Sequence, residues 1–370
     1  MTGSSPRLPL HLVTGFLGAG KTTLVNAVLR DPAFAGTMVI VNEFGEVGLD
    51  HLLVSEGKDQ VVLLDSGCLC CAASGSLRDT LIDLFARRGS GSVPAFDRII
   101  VETSGLAHPA PLIATVLGDS AIAPRCELVQ VLTLVDAVVG ARTLERHAEA
   151  RAQVALADRL LMTKSEQADA DATRELNTLL QRLAPFVPVA LGEPSMPVAS
   201  FFDDARTAGS GRSTNLHGLQ VEAFLRGPLR GQYGDDSGLV DTRDANDEDP
   251  VHGASRALIR SSAWRVPTVP QWADYANWVH TLTARFGARL LRCKGLLAVG
   301  DDPQPWVVQG VQGYFAAPQR LARWPTDIHQ GFVVCIGESL AADELASAMA
   351  LLGATAPVRA LPITERSLVS

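Results

Sequence analysis

Three of the six cysteines in this 370-residue chain fall within four residues, in the run Gly67-Cys68-Leu69-Cys70-Cys71. Upstream, Gly15-Phe16-Leu17-Gly18-Ala19-Gly20-Lys21-Thr22 fits the pattern G-x-x-x-x-G-K-[ST] without a mismatch. Thiolates are soft ligands for Zn²⁺ and related transition ions, and three of them fill three corners of a tetrahedron. A glycine-rich loop turns backbone N–H groups inward around a phosphate, and the helix that follows presents its positive end. Together the two runs point to triphosphate hydrolysis coupled to holding or releasing a metal ion.

The chemistry can be assigned residue by residue. Gly15, Gly18, Ala19 and Gly20 form the cradle, Lys21 reaches the β- and γ-phosphate oxygens, and Thr22, followed by Thr23, offers its hydroxyl to Mg²⁺. In Val101-Glu102-Thr103-Ser104-Gly105, a carboxylate closing a strand can hold the Mg²⁺ shell. Gly105 can give its N–H to the γ-phosphate and so report its presence. Thr163-Lys164-Ser165-Glu166 stands where guanine-binding proteins carry Asn-Lys-x-Asp. Thr163 has no amide and Glu166 is one methylene longer than Asp, so guanine is favoured while the pattern departs at both ends. Asn42 to Asp50, with two glycines and three carboxylates, reads as a switch loop in which Glu43 or Glu46 orients the attacking water. Glu43, Glu46 and His108 are candidate fourth ligands beside Cys68, Cys70 and Cys71. A redox pair and buried structural thiols are the competing readings of that cluster. Cys126, Cys293 and Cys335 sit singly in apolar runs and read as small core residues.

Positioning these groups requires strands that end together. Leu8–Val13, Thr37–Val41, Val61–Leu64, Arg98–Val101, Leu128–Val135 and Arg159–Met162 are apolar runs of strand length. Helical patterns separate them over Thr22–Arg30, Ser76–Arg87, Pro109–Leu117 and Ala170–Leu183. The alternation predicts an α/β class, a P-loop NTPase domain over 1–202 with a mainly parallel sheet covered on both faces. Residues 203–256 are rich in Gly, Ser, Asp and Arg without apolar period and predict an acidic flexible linker. A smaller α+β domain is expected over 257–353. Its strands are predicted at Ala257–Ile259, Leu290–Val299, Trp306–Gln312 and Phe332–Gly337, and its helices at Gln271–Phe286 and Ala342–Leu352. A tail follows over 354–370.

The net charge of −8 argues against a nucleic-acid partner, which usually calls for a basic face. Met1 to Pro9 carries no apolar core of signal-peptide length, and the longest apolar run, Leu128 to Val139, is too short to span a bilayer. The expectation is a cytoplasmic protein with no membrane partner.

At these motifs the chain resembles the CobW family of metallochaperone GTPases. The family pattern is G-F-L-G-A-G-K-T-T, N-E-F-G-E, G-C-x-C-C, E-T-[ST]-G-L-A-D-P and T-K-x-D. Gly15–Thr23, Asn42–Glu46, Gly67–Cys71, Glu102–Pro109 and Thr163–Glu166 stand at those places. The likeness continues through Leu291-Arg292-Cys293-Lys294-Gly295 and Gln309-Gly310-Val311-Gln312. It implies a GTPase of slow intrinsic rate that uses GTP and Mg²⁺ and binds Zn²⁺ or Co²⁺ at the thiols. It further implies a C-terminal domain that engages a client metalloprotein, and it allows a homodimer across the nucleotide face. His108 stands where the family has Asp, Glu166 replaces the guanine-reading Asp, and the linker holds only His217 and His252, too few for a histidine-rich metal store. The leading expectation is a GTP-dependent metal chaperone. A P-loop small-molecule kinase, a non-enzymatic metal buffer and a thiol–disulfide switch are the alternatives.

Overall fold

The computed structural model describes residues 7–41, 61–63, 72–184, 187–193, 196–202, 259–321, 323–324, 330–354 and 357–358. The expected switch loop with Glu43 and Glu46, the thiols Cys68, Cys70 and Cys71, the linker 203–256 and the tail from 359 lie outside the described residues. The chain divides into two compact units, Met1–Asn177 with Val187–Leu216, and Thr178–Phe186 with His217–Ser370. Among the described residues no helix is long and apolar enough to cross a membrane.

In the first unit the six apolar runs form strands β1 (Leu8–Gly15), β2 (Thr37–Val41), β3 (Val61–Leu63), β4 (Arg98–Glu102), β5 (Cys126–Asp136) and β6 (Arg159–Thr163), and a short strand not expected from sequence, β7 (Val189–Leu191), joins them. They make one parallel sheet in the order β3-β2-β4-β1-β5-β6-β7. Between them run helices α1 (Lys21–Arg30), α2 (Ala72–Ser90), α3 (Ala110–Gly118), α4 (Gly140–Arg146), α5 (Ala148–Ala155) and α6 (Ala170–Leu183). Strands covered on both faces have no use for polar alternation, which is why β2 and β4 are buried throughout, including Thr37, Arg98 and Glu102. The register pairs Val13 with Glu102, Val41 with Glu102, Leu63 with Val41, Gly15 with Leu134 and Asp136 with Thr163. β1, β2, β3, β4, β5 and β6 therefore end at the same edge of the sheet, where such folds place their ligands.

Helices α4 and α5 were not expected from the residue pattern. On α5, Ala150, Ala152, Gln153, Val154 and Ala155 are all buried, so no polar face marks the helical period.

The second unit is an antiparallel sheet of β8 (Ile259–Val266), β9 (Arg292–Val299), β10 (Asp302–Val311), β11 (Tyr314–Phe315), β12 (Gln319–Arg320), β13 (Gly331–Glu338) and β14 (Pro357–Val358). The order is β11-β10-β9-β13-β8-β14, with β12 on β10. Helices α7 (Trp272–Phe286) and α8 (Ala342–Met349) accompany it, and Trp264, Trp278, Leu282, Phe286, Leu297, Val333, Leu345 and Met349 share its core. Of the expected strand Ala257–Ile259 only Ile259 is among the described residues; from it β8 runs on to Val266, because Arg260, Ser261 and Ser262 conceal in sequence a run that pairs with β13 along its whole length. The last helix is shorter than expected: it gives way to a 3₁₀ turn over Ala350–Leu352, closed by Gly353 at φ +67°.

Cys126, Cys293 and Cys335 are buried core residues, as read from sequence. Cys293 and Cys335 are cross-strand partners with Sγ atoms 3.8 Å apart. Burial pushes the Cys126 thiol up to about 12 and the Cys293 thiol well above its ordinary value. A raised thiol pKa leaves almost no thiolate at pH 8, and the thiolate is the reactive form. Iodoacetamide at pH 8 should therefore leave Cys126 and Cys293 unmodified in the folded protein, and burial alone should protect Cys335, as read by peptide mass mapping. Alkylation of these three at the rate seen in denaturant would contradict the packing.

Candidate functional site

The phosphate loop leaves β1 at Gly15 and enters α1 at Lys21. Gly15, Gly18 and Gly20 have φ of +143°, +75° and +88°, and Gly20 is the left-handed N-cap of α1. At Gly15 the reason is spatial as well, since a side chain there would fall on the Leu134 carbonyl oxygen of β5. The turn is closed by the Ala19 N–H, which donates to Phe16 O at 3.2 Å. Lys21 is buried, and its Nζ donates to Gly15 O at 2.9 Å and to Phe16 O at 3.2 Å, which holds the ammonium over the loop. Thr23 is exposed on the first turn of α1.

Thr22 turns toward β4, where its Oγ1 donates to Glu102 Oε1 at 2.9 Å. Glu102 is almost fully buried, and the chain beyond it stays tied to β1: Thr103 N–H donates to Val13 O at 2.9 Å and Thr103 Oγ1 to Thr14 Oγ1 at 2.8 Å. Gly105 then meets the phosphate loop so closely that a Cβ would lie 2.6 Å from Leu17 Cδ2 and 2.7 Å from Leu17 N. His108 is placed just before α3, where its Nδ1 accepts the Ala110 N–H at 3.3 Å. That is the acceptor role a short acidic side chain fills at a helix start.

The third motif closes the loop from the other side. Thr163 Oγ1 donates to Ala19 O at 2.9 Å, so the threonine that stands where guanine-binding proteins have Asn holds the phosphate loop. Lys164 adopts φ +57°, and its Nζ pairs with Asp136 Oδ2 at 2.5 Å. Glu166 is exposed and accepts from Gln167 Nε2 at 3.0 Å. Asp136 is a site residue that sequence reasoning missed. It ends β5 and accepts the Val138 and Val139 N–H groups at 2.8 and 3.2 Å while it pairs with Lys164. The available signal was a carboxylate at the C-terminal end of a central parallel strand, the same signal that picked out Glu102.

The donor set suits a hard divalent cation. A hydroxyl and a buried carboxylate converge at Thr22 and Glu102, at the start of a helix and within the first turn of the loop lysine, and Mg²⁺ takes such oxygen ligands together with phosphate. Among the described residues no group of three or more His, Cys, Asp and Glu side chains gathers to hold a metal. A parallel sheet whose central strand feeds this loop, with a threonine and an acid at hydrogen-bond distance, defines a P-loop nucleotide-binding protein.

Comparison with known proteins narrows the class. Residues 9–190 match the family described as "CobW/HypB/UreG, nucleotide-binding domain", and residues 259–352 match "Cobalamin synthesis protein cobW C-terminal domain". The chain belongs to the CobW family of P-loop GTPases. It is 29% identical over 346 residues to "Zinc chaperone YjiA" of Escherichia coli, covering 93% of this chain and 98% of that protein. It is 29% identical over 341 residues to "Zinc chaperone CobW" of Pseudomonas aeruginosa, covering 82% and 80%. The crystal structure of the Zn(II)-bound YjiA GTPase from E. coli shares the fold, with a TM-score of 0.62 at 24% identity over 94% of this chain and 99% of that one.

Two outcomes test the geometry. Gly105→Ala forces the turn off Leu17 and should lower kcat for nucleotide hydrolysis about tenfold or more while the fold persists by circular dichroism. An unchanged rate would show that the close approach has no bearing on the chemistry. His108→Ala should cost about 0.5–1 kcal/mol in chemical unfolding, and His108→Asp should recover it, if the imidazole serves as a helix-start acceptor. Equal losses in both variants would point to a role for the imidazole itself.

Proposed function

We propose that the protein is a GTP-dependent metal chaperone that binds Zn²⁺ or a related transition ion at Cys68, Cys70 and Cys71 and passes it to a client metalloprotein, with GTP hydrolysis controlling release. The observation that carries the nucleotide half is the 2.9 Å contact between Thr22 and Glu102 beside the buried Lys21. The metal half is supported by the thiol run that follows β3 and by the names of the relatives, two zinc chaperones among them.

In this reading Lys21 neutralises charge at the β- and γ-phosphates, and Gly105 offers its N–H to the γ-phosphate. Thr22 and Glu102 hold Mg²⁺, which when bound supplies charge neutralisation across the same oxygens. The catalysis is positioning and electrostatic stabilisation, and no covalent enzyme intermediate is involved. The Asn42–Asp50 segment leaves β2 at the edge where Glu102 ends β4, so a change at the γ-phosphate has a short route to it. Glu43 or Glu46 orients the water. β3, which precedes the thiol run in sequence, ends at the same edge, with Leu63 in register with Val41. The metal ion is cargo, and its affinity follows the state of the switch. Glu166 reads the base with a preference for guanine while the Lys164 stem packs on it, and the C-terminal unit engages the client.

The test is a competitive Zn²⁺ and Co²⁺ titration of the reduced protein with Mg²⁺ and a non-hydrolysable GTP analogue, with Mg²⁺-GDP, and without nucleotide, beside Cys70→Ala. The expected result is affinity higher by about tenfold or more only with the GTP analogue, in the range usual for coupled sites, and lost in the variant. Equal affinity in all three states would make the protein a metal buffer. No binding would assign the thiols to redox or structural work, and phosphate transfer to an acceptor in place of free phosphate would make it a kinase.

A further inference from the structure

The turn that Gly105 opens is held from behind by a side chain with no part in the phosphate chemistry described above. Gln153, on α5, is 1% exposed, and its Nε2 donates to Gly105 O and to Ala107 O, each at 3.0 Å. A side-chain amide has two N–H bonds, and both are spent on this turn. The main-chain carbonyl of the same residue accepts Thr133 Oγ1 at 2.9 Å, which fastens α5 to β5. Gln153 Oε1 is buried with no hydrogen-bond partner.

A buried amide with one unsatisfied oxygen is an expensive way to pack a helix, since an apolar side chain of the same shape avoids that desolvation penalty. The amide adds direction. Bonds to Gly105 O and Ala107 O fix the peptide planes that follow each residue. At the other end of the segment, Thr103 N–H is bonded to Val13 O. Gly105 N–H lies between these two restraints. The helix touches the opposing loop as well: the His147 ring, at the start of α5, lies 4.4 Å from the ring of Phe16. Beside these contacts lies a small crevice of about 20 Å³, lined in part by Phe16, Leu17, Ala150, Gln153 and Val154, with space for about one water molecule.

We infer that Gln153 is a positioning residue that sets the Gly105–Ala107 turn against the phosphate loop, in the arrangement that tells a nucleoside triphosphate from a diphosphate. The inference rests on the proposed contact between Gly105 and the γ-phosphate. Helix α5 is then part of the sensing apparatus, linked by one side chain to the turn and by one ring to the loop.

The experiment compares Mg²⁺-GDP and a Mg²⁺-bound non-hydrolysable GTP analogue on the full chain, with steady-state GTP hydrolysis and a thermal melt alongside. Gln153→Met keeps the shape and removes both donors. It should leave GDP affinity within about twofold while lowering analogue affinity and kcat about tenfold, because only interactions made with the third phosphate are lost. Gln153→Glu should hydrolyse GTP faster as pH falls toward 5.5, since only the protonated carboxyl can donate to either carbonyl. If Gln153→Met does not fold, Gln153→Asn carries the same comparison with the amide drawn back. Equal losses for both nucleotides, or none for either, overturn the inference. A wild-type protein that binds GDP and the analogue equally tightly overturns the reading of Gly105, whatever the variants do.

Discussion

Leu17 and Gly105 approach more closely than any side chain at position 105 permits, and the nucleotide edge of the sheet is arranged around that approach. Two backbone segments from different strands, the loop after β1 and the turn after β4, can touch only if β1 and β4 are neighbours that end at the same level. The parallel register that pairs Val13 with Glu102 provides this. The same constraint recurs across the other flank, where Gly15 passes against Leu134 of β5 with no room for a Cβ. A loop pinned between two strands in this way has little freedom of its own. Its N–H groups are set before any phosphate arrives, so binding does not spend free energy on ordering them.

That pinning explains why the charged groups can be buried. Lys21 and Glu102 are each nine-tenths or more buried, yet each has polar company: two loop carbonyls for the ammonium, the Thr22 hydroxyl for the carboxylate. Removing charge from water is costly unless hydrogen bonds replace the lost solvent. Asp136 and Lys164 repeat the pattern on the base side, and Thr163 joins the two halves through Ala19 O. Thr163 shows that a departure from the usual guanine-binding residue can still serve a structural end, since a hydroxyl reaches the loop carbonyl as well as an amide would.

Much of this was legible in the sequence. Six strands of the first unit could be read because they are nearly continuous in apolar residues, while β7, three residues long and only partly buried, gave no such run, and Gly15 to Thr22 carries its mechanism in its letters. The polar strand β8 was concealed, since Arg260 to Ser262 belongs to a strand only by virtue of its pairing with β13. Helix α5 was concealed for the opposite reason, since it is buried on nearly every side, and α4 because only Gly140 and Leu144 of its seven residues are buried. Gln153 could not have been found by spacing: it acts 46 and 48 residues away along the chain, and nothing near it in sequence hints at a partner. His108 was legible as a candidate ligand, and only the fold reveals the Ala110 N–H that occupies its Nδ1.

A nucleotide-controlled metal site carries a thermodynamic obligation that links the two halves of the proposed function. If the triphosphate state holds the metal 100-fold more tightly than the diphosphate state, the metal must favour triphosphate over diphosphate by the same 100-fold, a coupling of about 2.8 kcal/mol. The coupling needs some part of the chain with two arrangements that both ligands bias. The inner strands cannot be that part, because β2, β4, β1, β5 and β6 have their registers fixed by ladders on both sides. The turn from Gly105 to Ala107 can be, since few polar contacts hold it: the Ala107 N–H to Ser104 O and the two bonds from Gln153, beside the close approach to Leu17. β3 and β2 end at this same edge, Leu63 level with Val41 and Val41 level with Glu102, so the Gly105 turn that follows β4 stands beside the ends of both strands.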